Sequence, residues 1–214
     1  MGKCPPWSSD GPDTRDGDFQ QSCVDAYHAA QACAAKKIIT SQHCGTWHKL
    51  MFELHVPLAY YAGNFRQQNP LWPCLDVNVQ VAGIQGEPPD RVGYEIERLF
   101  EFVHQQLTSM EIKWSELTPK ERTIRLAVIL GHLVGRFIQI HPFINGNGRT
   151  SRLLWAWGLM RFGVPPQTRV RLHPENPTYD FVMSQAMQGD SSHVSLFILD
   201  HLAANPPRMD SSKN

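Results

Sequence analysis

Thr118-Pro119-Lys120-Glu121 opens the stretch that most constrains this 214-residue chain. A Thr with Glu three positions later makes a capping box, and Pro at the first helical position has its backbone torsion already set. Beyond it, Ile124, Ala127, Val128, Gly131, Val134, Gly135 and Ile138 recur at helical spacing and form a broad apolar stripe. This pattern predicts a central buried helix that runs to about Ile140 and delivers His141 at its C-terminal end. A second helical pattern starts at Gly148 and continues through Met160. Between them lies the run His141-Pro142-Phe143-Ile144-Asn145-Gly146-Asn147-Gly148-Arg149-Thr150-Ser151-Arg152.

The chemistry of that run suits a phosphorylated ligand. Gly146 and Gly148 have no Cβ, so backbone N–H groups can approach a ligand closely. A loop that feeds a helix N-terminus offers unpaired donors and the positive end of a dipole, which together bind anions. Arg149 and Arg152 stand three apart on one helix face, where guanidinium forks can grip phosphate oxygens. His141 can exchange a proton near neutral pH. The negative helix end would raise its pKa and the arginines would oppose that. A Walker loop is disfavoured, because no Lys-Ser/Thr pair follows the glycines.

The run resembles the signature of the Fic family, HPFx[D/E]GNGRxxR. His141, Pro142, Phe143, Gly146, Asn147, Gly148, Arg149 and Arg152 match its fixed positions. The resemblance implies a mainly α fold, a Fic-like helical bundle with a short β-hairpin flap. It also implies a protein adenylyltransferase that moves AMP, or another nucleoside monophosphate, from a triphosphate to a target hydroxyl. On that basis His141 is the general base and Phe143 anchors the loop in the core. Gly146, Asn147 and Gly148 form the anion hole, and Arg149 and Arg152 hold the β- and γ-phosphates. Tyr179 falls where the family lines its nucleobase pocket; a plain core tyrosine is the equal alternative. ATP is the implied substrate, with Mg²⁺ or Mn²⁺ as the accompanying ion.

Asn145 departs from the pattern, which has Asp or Glu there to hold the metal. An amide oxygen can coordinate a hard cation but brings no charge, so Asn145 is expected to be a weak metal ligand. A slower transferase, a Fic fold with altered donor or reversed chemistry, and a catalytically weakened nucleotide-binding module all remain open. Upstream, Val56-Pro57-Leu58-Ala59-Tyr60-Tyr61-Ala62-Gly63-Asn64-Phe65-Arg66 is similar, more loosely, to the family segment in which a helix with an internal His leads to Ala-Gly and an Arg. The alternation in residues 76–83, followed by Gly83, Gly86, Pro88 and Pro89, predicts a hairpin. In the family this is the flap that grips a target by strand addition, here near residues 76–89. The family's inhibitory motif, [S/T]xxxE[G/N], is not met, because Arg171 stands four residues before Glu175. A separate antitoxin-like inhibitor is therefore one expected partner.

Length and composition place the rest. The chain suits one domain, residues 18–203, between a flexible arm (1–17) and a polar tail (204–214). Twenty Lys and Arg balance twenty Asp and Glu, so no basic surface for nucleic acid is expected. No apolar run reaches bilayer length, so no membrane span is expected. The N-terminus, Met1-Gly2-Lys3-Cys4-Pro5-Pro6-Trp7, lacks the apolar core of a secretory signal and does not fit the myristoylation pattern. The five cysteines form no C-x-x-C pair and are expected to be free thiols in a reducing cytosol. His43, Cys44, His48 and His55 lack zinc-site spacing. The expected location is cytoplasmic, with delivery into another cell left open. Further helices are predicted over residues 18–37, from Ser41 as N-cap to about residue 54, over 94–106, over 179–187 and from Ser195 to Leu202.

Overall fold

The computed structural model describes residues 4–7, 17–81, 83–165 and 177–208. Among these are seven α-helices: α1 (Gly17–Ala35), α2 (Ser41–Phe52), α3 (Pro89–Ile112), α4 (Pro119–Ile140), α5 (Asn147–Arg161), α6 (Pro177–Met187) and α7 (Ser192–Ala204). An antiparallel hairpin, β1 (Gln80–Val81) and β2 (Ile84–Gln85), lies between α2 and α3, in the register Gln80 to Gln85 and Val81 to Ile84. The mainly α bundle with a short hairpin expected from the sequence is what the chain forms. The strand itself is shorter than the alternation in 76–83 predicts.

Helix α4 is the axis, packed by α3, α5, α6 and α7, while α1 lies across α2 and α5. Its capping box is complete: Thr118 Oγ1 accepts from Glu121 N–H, and the Glu121 carboxylate accepts from Thr118 N–H at 2.8 Å. The buried face is not quite the predicted stripe. Ile124 and Val128 are 40% and 55% exposed, whereas Leu126, Leu130, Leu133, Phe137 and Ile140 are buried. The helix is apolar on more than one side, so spacing alone does not say which side faces in. Among the described residues α4 alone is long and apolar enough to cross a membrane by length and composition, and it lies at the centre of the bundle.

Close packing against α7 depends on glycine. A Cβ at Gly131 would lie 2.6 Å from Ser195 Cα and 2.7 Å from Ser195 N, and one at Gly135 would lie 2.6 Å from Ser191 Cβ. Elsewhere the boundaries move for local reasons. Helix α2 is capped by Thr40, not Ser41, because Thr40 supplies the side-chain acceptor for His43 N–H. Helix α3 starts at Pro89, well before the predicted residue 94, since Pro suits a first turn.

Two sequence expectations are corrected at the N-terminus. Cys4 and Cys74 form a disulfide, with Cα atoms 5.6 Å apart, so only Cys23, Cys33 and Cys44 are free. Spacing gave no warning, because the partners are 70 residues apart. The argument for a reducing compartment from unpaired thiols falls with it. Residues 4–7 do not behave as a flexible arm either. Tyr61 Oη donates to the Pro5 carbonyl at 3.3 Å, and Trp7 packs against Phe52 with ring centroids 5.3 Å apart. At the other end, Arg208 N–H donates to the Phe162 carbonyl at 2.7 Å, tying the start of the predicted tail to α5.

Gly131→Ala should destabilise the protein by about 2 kcal/mol, the cost of overpacking against immovable backbone. Thermal unfolding would measure it, with exposed Gly93→Ala, whose Cβ meets nothing within 4 Å, as the neutral or stabilising control.

Candidate active site

The site is built where α4 ends and α5 begins. His141 terminates α4 in the left-handed region (φ 51°), and its N–H still donates to the Phe137 carbonyl at 3.0 Å. That turn drives Pro142 and Phe143 into the core. Phe143 is fully buried, stacked on His48 with centroids 3.7 Å apart and flanked by Phe65 at 5.0 Å. Asn147 closes the loop on itself: its Oδ1 accepts from Phe143 N–H at 3.0 Å and its Nδ2 donates to the Phe143 carbonyl at 2.8 Å. With its side chain so engaged, Asn147 offers an anion only its backbone N–H, in the first turn of α5.

The two loop glycines do different things. Gly146 sits at φ 79°, and a Cβ there would lie 2.5 Å from Phe52 Cε2 and 2.9 Å from His48 Nε2. Its role is to let the loop pass against α2. Gly148 has no such constraint. A Cβ there would meet only Arg152 Nη1, at 3.5 Å. It leaves the chain open on that side at the start of α5, a recess bounded by the Arg152 guanidinium.

Arg149 and Arg152 diverge. Arg149 is buried under aromatic rings, with its guanidinium carbon 5.1 Å from the Phe19 centroid and 5.8 Å from that of Phe52. Arg152 lies on the α6 side. Its Nη1 is 3.4 Å from Tyr179 Oη, and its buried Nε makes no hydrogen bond among the described residues. Tyr179 is buried and reaches the site through Arg152. The recess at Gly148, Arg152 and Tyr179 thus come together, while Arg149 opens the same helix turn towards α1. Glu175 and Arg171 lie outside the described residues.

A residue that the sequence marked only as the closing Arg of a loosely similar segment holds this assembly. Arg66 is fully buried and spreads its guanidinium over four carbonyls: His141 at 2.8 Å from Nε, Val77 at 3.0 Å from Nη1, and Glu87 and Ile140 at 2.7 and 2.9 Å from Nη2. Its own N–H donates to the Pro142 carbonyl at 2.7 Å. Burial lowers its pKa to about 10, which still leaves it charged at neutral pH. Arg66 therefore joins the end of α4 to both stems of the hairpin. Glu87 is fixed further by its N–H to the Ile140 carbonyl at 3.2 Å and its carboxylate to Arg136 at 2.9 Å. The hairpin runs so close to the base that a Cβ on Gly86 would lie 2.9 Å from His141 Cβ.

Burial, then the nearby charge of Arg66, lower the His141 pKa to about 4. The dipole effect expected to raise it is outweighed, because desolvation penalises the imidazolium. His141 Nδ1 lies 3.4 Å from the Ile138 carbonyl oxygen, an acceptor only, which favours the proton on Nδ1 and the lone pair on Nε2. His48, named from the sequence only within a cluster that lacks zinc-site spacing, is the second residue that holds the loop. It is fully buried, its Nδ1 accepts from Gly63 N–H at 2.9 Å, and its Nε2–H donates to the Asn145 carbonyl at 3.0 Å. Burial lowers its pKa to about 3.

The Asn145 amide is held by the loop and by the N-terminal segment. Its Oδ1 accepts from Gly146 N–H at 2.7 Å and its Nδ2 donates to the Trp7 carbonyl at 3.0 Å. Among the described residues no group of three His, Cys, Asp or Glu side chains is placed to hold a metal ion. The side chain brings no negative charge, and its oxygen is engaged with the loop backbone.

A helical bundle whose core helix ends in a half-buried neutral histidine, under a hairpin, and whose next helix opens on a glycine recess flanked by arginine defines a Fic-type fold. The sequence pattern of the Fic/DOC family matches residues 38–159, more than half of the chain, and the chain belongs to that family. Over 65 residues it is 45% identical to protein adenylyltransferase Fic of Drosophila yakuba and 43% identical to that of Aedes aegypti. That stretch is 30% of this chain and 13% of each relative, so the chain matches a small part of their length. A crystal structure of a Fic-domain-containing signalling protein from Bacteroides thetaiotaomicron superposes with a TM-score of 0.59 at 18% identity, over 87% of this chain and 67% of that one. BepC protein from Bartonella tribocorum, solved with bound AMPPNP, superposes with a TM-score of 0.52 at 13% identity, over 89% and 88%. At such identities the structures speak for the fold.

Arg66→Ala leaves buried carbonyls unpaired and should cost about 3 kcal/mol or more in thermal unfolding. Arg66→Lys should recover little of that, because a lysine ammonium cannot reproduce the planar fork. Both histidines have folded pKa values below the ordinary 6.5, so the unfolded chain binds more protons from about pH 6.5 down to about 4 for His141 and about 3 for His48. Stability should be full above that window and fall as pH drops through it. His48→Gln should flatten the pH dependence of the melting temperature even where it lowers the temperature itself.

Proposed function

We propose that this protein is a Fic-type nucleotidyltransferase that moves AMP from ATP to a hydroxyl of a target protein. The observation that carries this reading is the pairing of a neutral base with a phosphate recess on one rigid turn. His141 ends α4 and the recess at Gly148 and Arg152 opens α5, with only the Phe143-anchored loop between them. The relatives named protein adenylyltransferase and the AMPPNP bound by BepC support a nucleoside triphosphate as ligand.

In this reading the β- and γ-phosphates lie at the N-terminus of α5, against the N–H groups of Asn147 and Gly148 and the guanidinium of Arg152. Arg149 adds positive charge to the same turn. Tyr179 holds Arg152 in place and walls the nucleotide side. The His141 Nε2 lone pair takes the proton of a target hydroxyl. The freed oxygen attacks the α-phosphorus, the bond from that phosphorus to the bridging oxygen of the β-phosphate breaks, and pyrophosphate leaves. A base already neutral at pH 7 needs no prior deprotonation. The exposed edge of the hairpin, whose Gly86 end lies against His141, offers backbone groups for an extended target segment. A separate antitoxin-like inhibitor would act at the arginine side of the recess.

A second reading follows from Asn145: a nucleotide-binding module that has lost transfer. Incubation with α-labelled ATP and candidate protein substrates separates the two. His141→Ala should abolish labelling, by more than ~100-fold, with ATP affinity nearly unchanged. Arg152→Ala should weaken ATP binding about tenfold or more. ATP binding that survives with no labelling by the unaltered protein, across substrates, would select the binding module.

A further inference from the structure

Residues 4–7 are distant from the signature in sequence and lie against it in space. They are fastened at Cys4 by the disulfide to Cys74, at Pro5 by Tyr61 Oη at 3.3 Å, and at Trp7 by its ring and its carbonyl. The indole meets Phe52, His48 and Tyr61 at centroid distances of 5.3, 6.0 and 6.1 Å. The Trp7 carbonyl accepts from Asn145 Nδ2 at 3.0 Å. Asn145 is thereby gripped on three sides: by Trp7 at its amide nitrogen, by Gly146 N–H at its amide oxygen, and by His48 at its backbone carbonyl.

We propose that residues 4–7 are a disulfide-held strap that positions the phosphate loop, with Asn145 as its catch. The reason for an amide in the carboxylate's place follows from the partner. A carbonyl oxygen needs a donor, which Asn supplies and Asp does not; a carboxylate there would set two acceptors against each other at hydrogen-bond distance. Asn145 thus trades an ion-binding charge for a fastening between the N-terminal segment and the loop that forms the recess. Trp7 and Asn145 are positioning residues, since they act through the backbone of Gly146 and the turn that follows.

The disulfide decides how firmly the catch is held. Once Cys4 is linked to Cys74, the Trp7 carbonyl is presented to Asn145 at high effective concentration. A dithiol reductant opens the bond by thiol–disulfide exchange: the Cys4–Cys74 bond breaks, both sulfurs leave as thiols, and the reductant becomes the cyclic disulfide. The strap then depends on two neutral hydrogen bonds and one indole. The loop should become more mobile and its grip on triphosphate weaker.

The nucleotide half of this inference rests on the function proposed above; the structural half does not. The test uses the full chain, oxidised and after dithiothreitol, with the state of Cys4 and Cys74 read by alkylation and mass. Hydrogen exchange over residues 141–152 and affinity for ATP are measured on each. Reduction should speed exchange in that segment and weaken ATP binding about three- to tenfold, the scale of one neutral hydrogen bond. Cys4→Ser should match the reduced protein and no longer respond to dithiothreitol. Trp7→Ala should do the same to the loop, Trp7→Phe should largely restore it, and Asn145→Asp should loosen the loop even in the oxidised protein. Unchanged exchange over residues 141–152 on verified reduction would overturn the strap. Faster exchange with no ATP binding in any form would uphold the strap and count against the nucleotide reading instead.

Discussion

The buried guanidinium of Arg66 is the interaction on which the site depends. Taking a charge out of water costs several kcal/mol unless the protein replaces the lost hydration. Here the replacement consists of backbone carbonyls, contributed by the end of α4 and by both stems of the hairpin. A helix C-terminus needs donors for its last carbonyls, and Arg66 supplies them for Ile140 and His141. The same charge that closes the helix stands near the imidazole and adds to the burial that keeps it neutral. Fold closure and base chemistry are thus one arrangement.

Around that pin the aromatic core sets the depth of the loop. Phe143 stacked on His48, with Phe52 and Phe65 beside them, fixes how far the turn after His141 can sink. His48 adds direction as well as volume. One nitrogen reads the turn at Gly63 and the other reads the carbonyl of Asn145, so α2 is coupled to the phosphate loop through a single ring. Because both hydrogen bonds use the neutral tautomer, protonation would cost one of them.

Much of this was legible in the sequence, and the parts that were not share a cause. The loop of residues 141–152 showed its chemistry because its residue types and spacing are the chemistry. The capping box at Thr118 was readable because both partners lie within one turn. The role of Arg66 was not, because its partners are carbonyls, which every residue carries and no sequence pattern marks. His48 read as one of three neighbouring histidines without zinc-site spacing until the fold placed Gly63 and Asn145 on its two nitrogens. The Cys4–Cys74 bond is set by tertiary approach rather than by spacing. The buried side of α4 was misjudged at Ile124 and Val128 because a helix apolar on several sides leaves its rotation to its neighbours.

The hairpin beside His141 is held at Glu87 by its backbone N–H, its carbonyl and its carboxylate, each to a different group of the bundle. Gly86, one residue before, has no space between itself and the histidine. An element so fastened is a wall rather than a door. The approach to the imidazole on that side is therefore set when the chain folds.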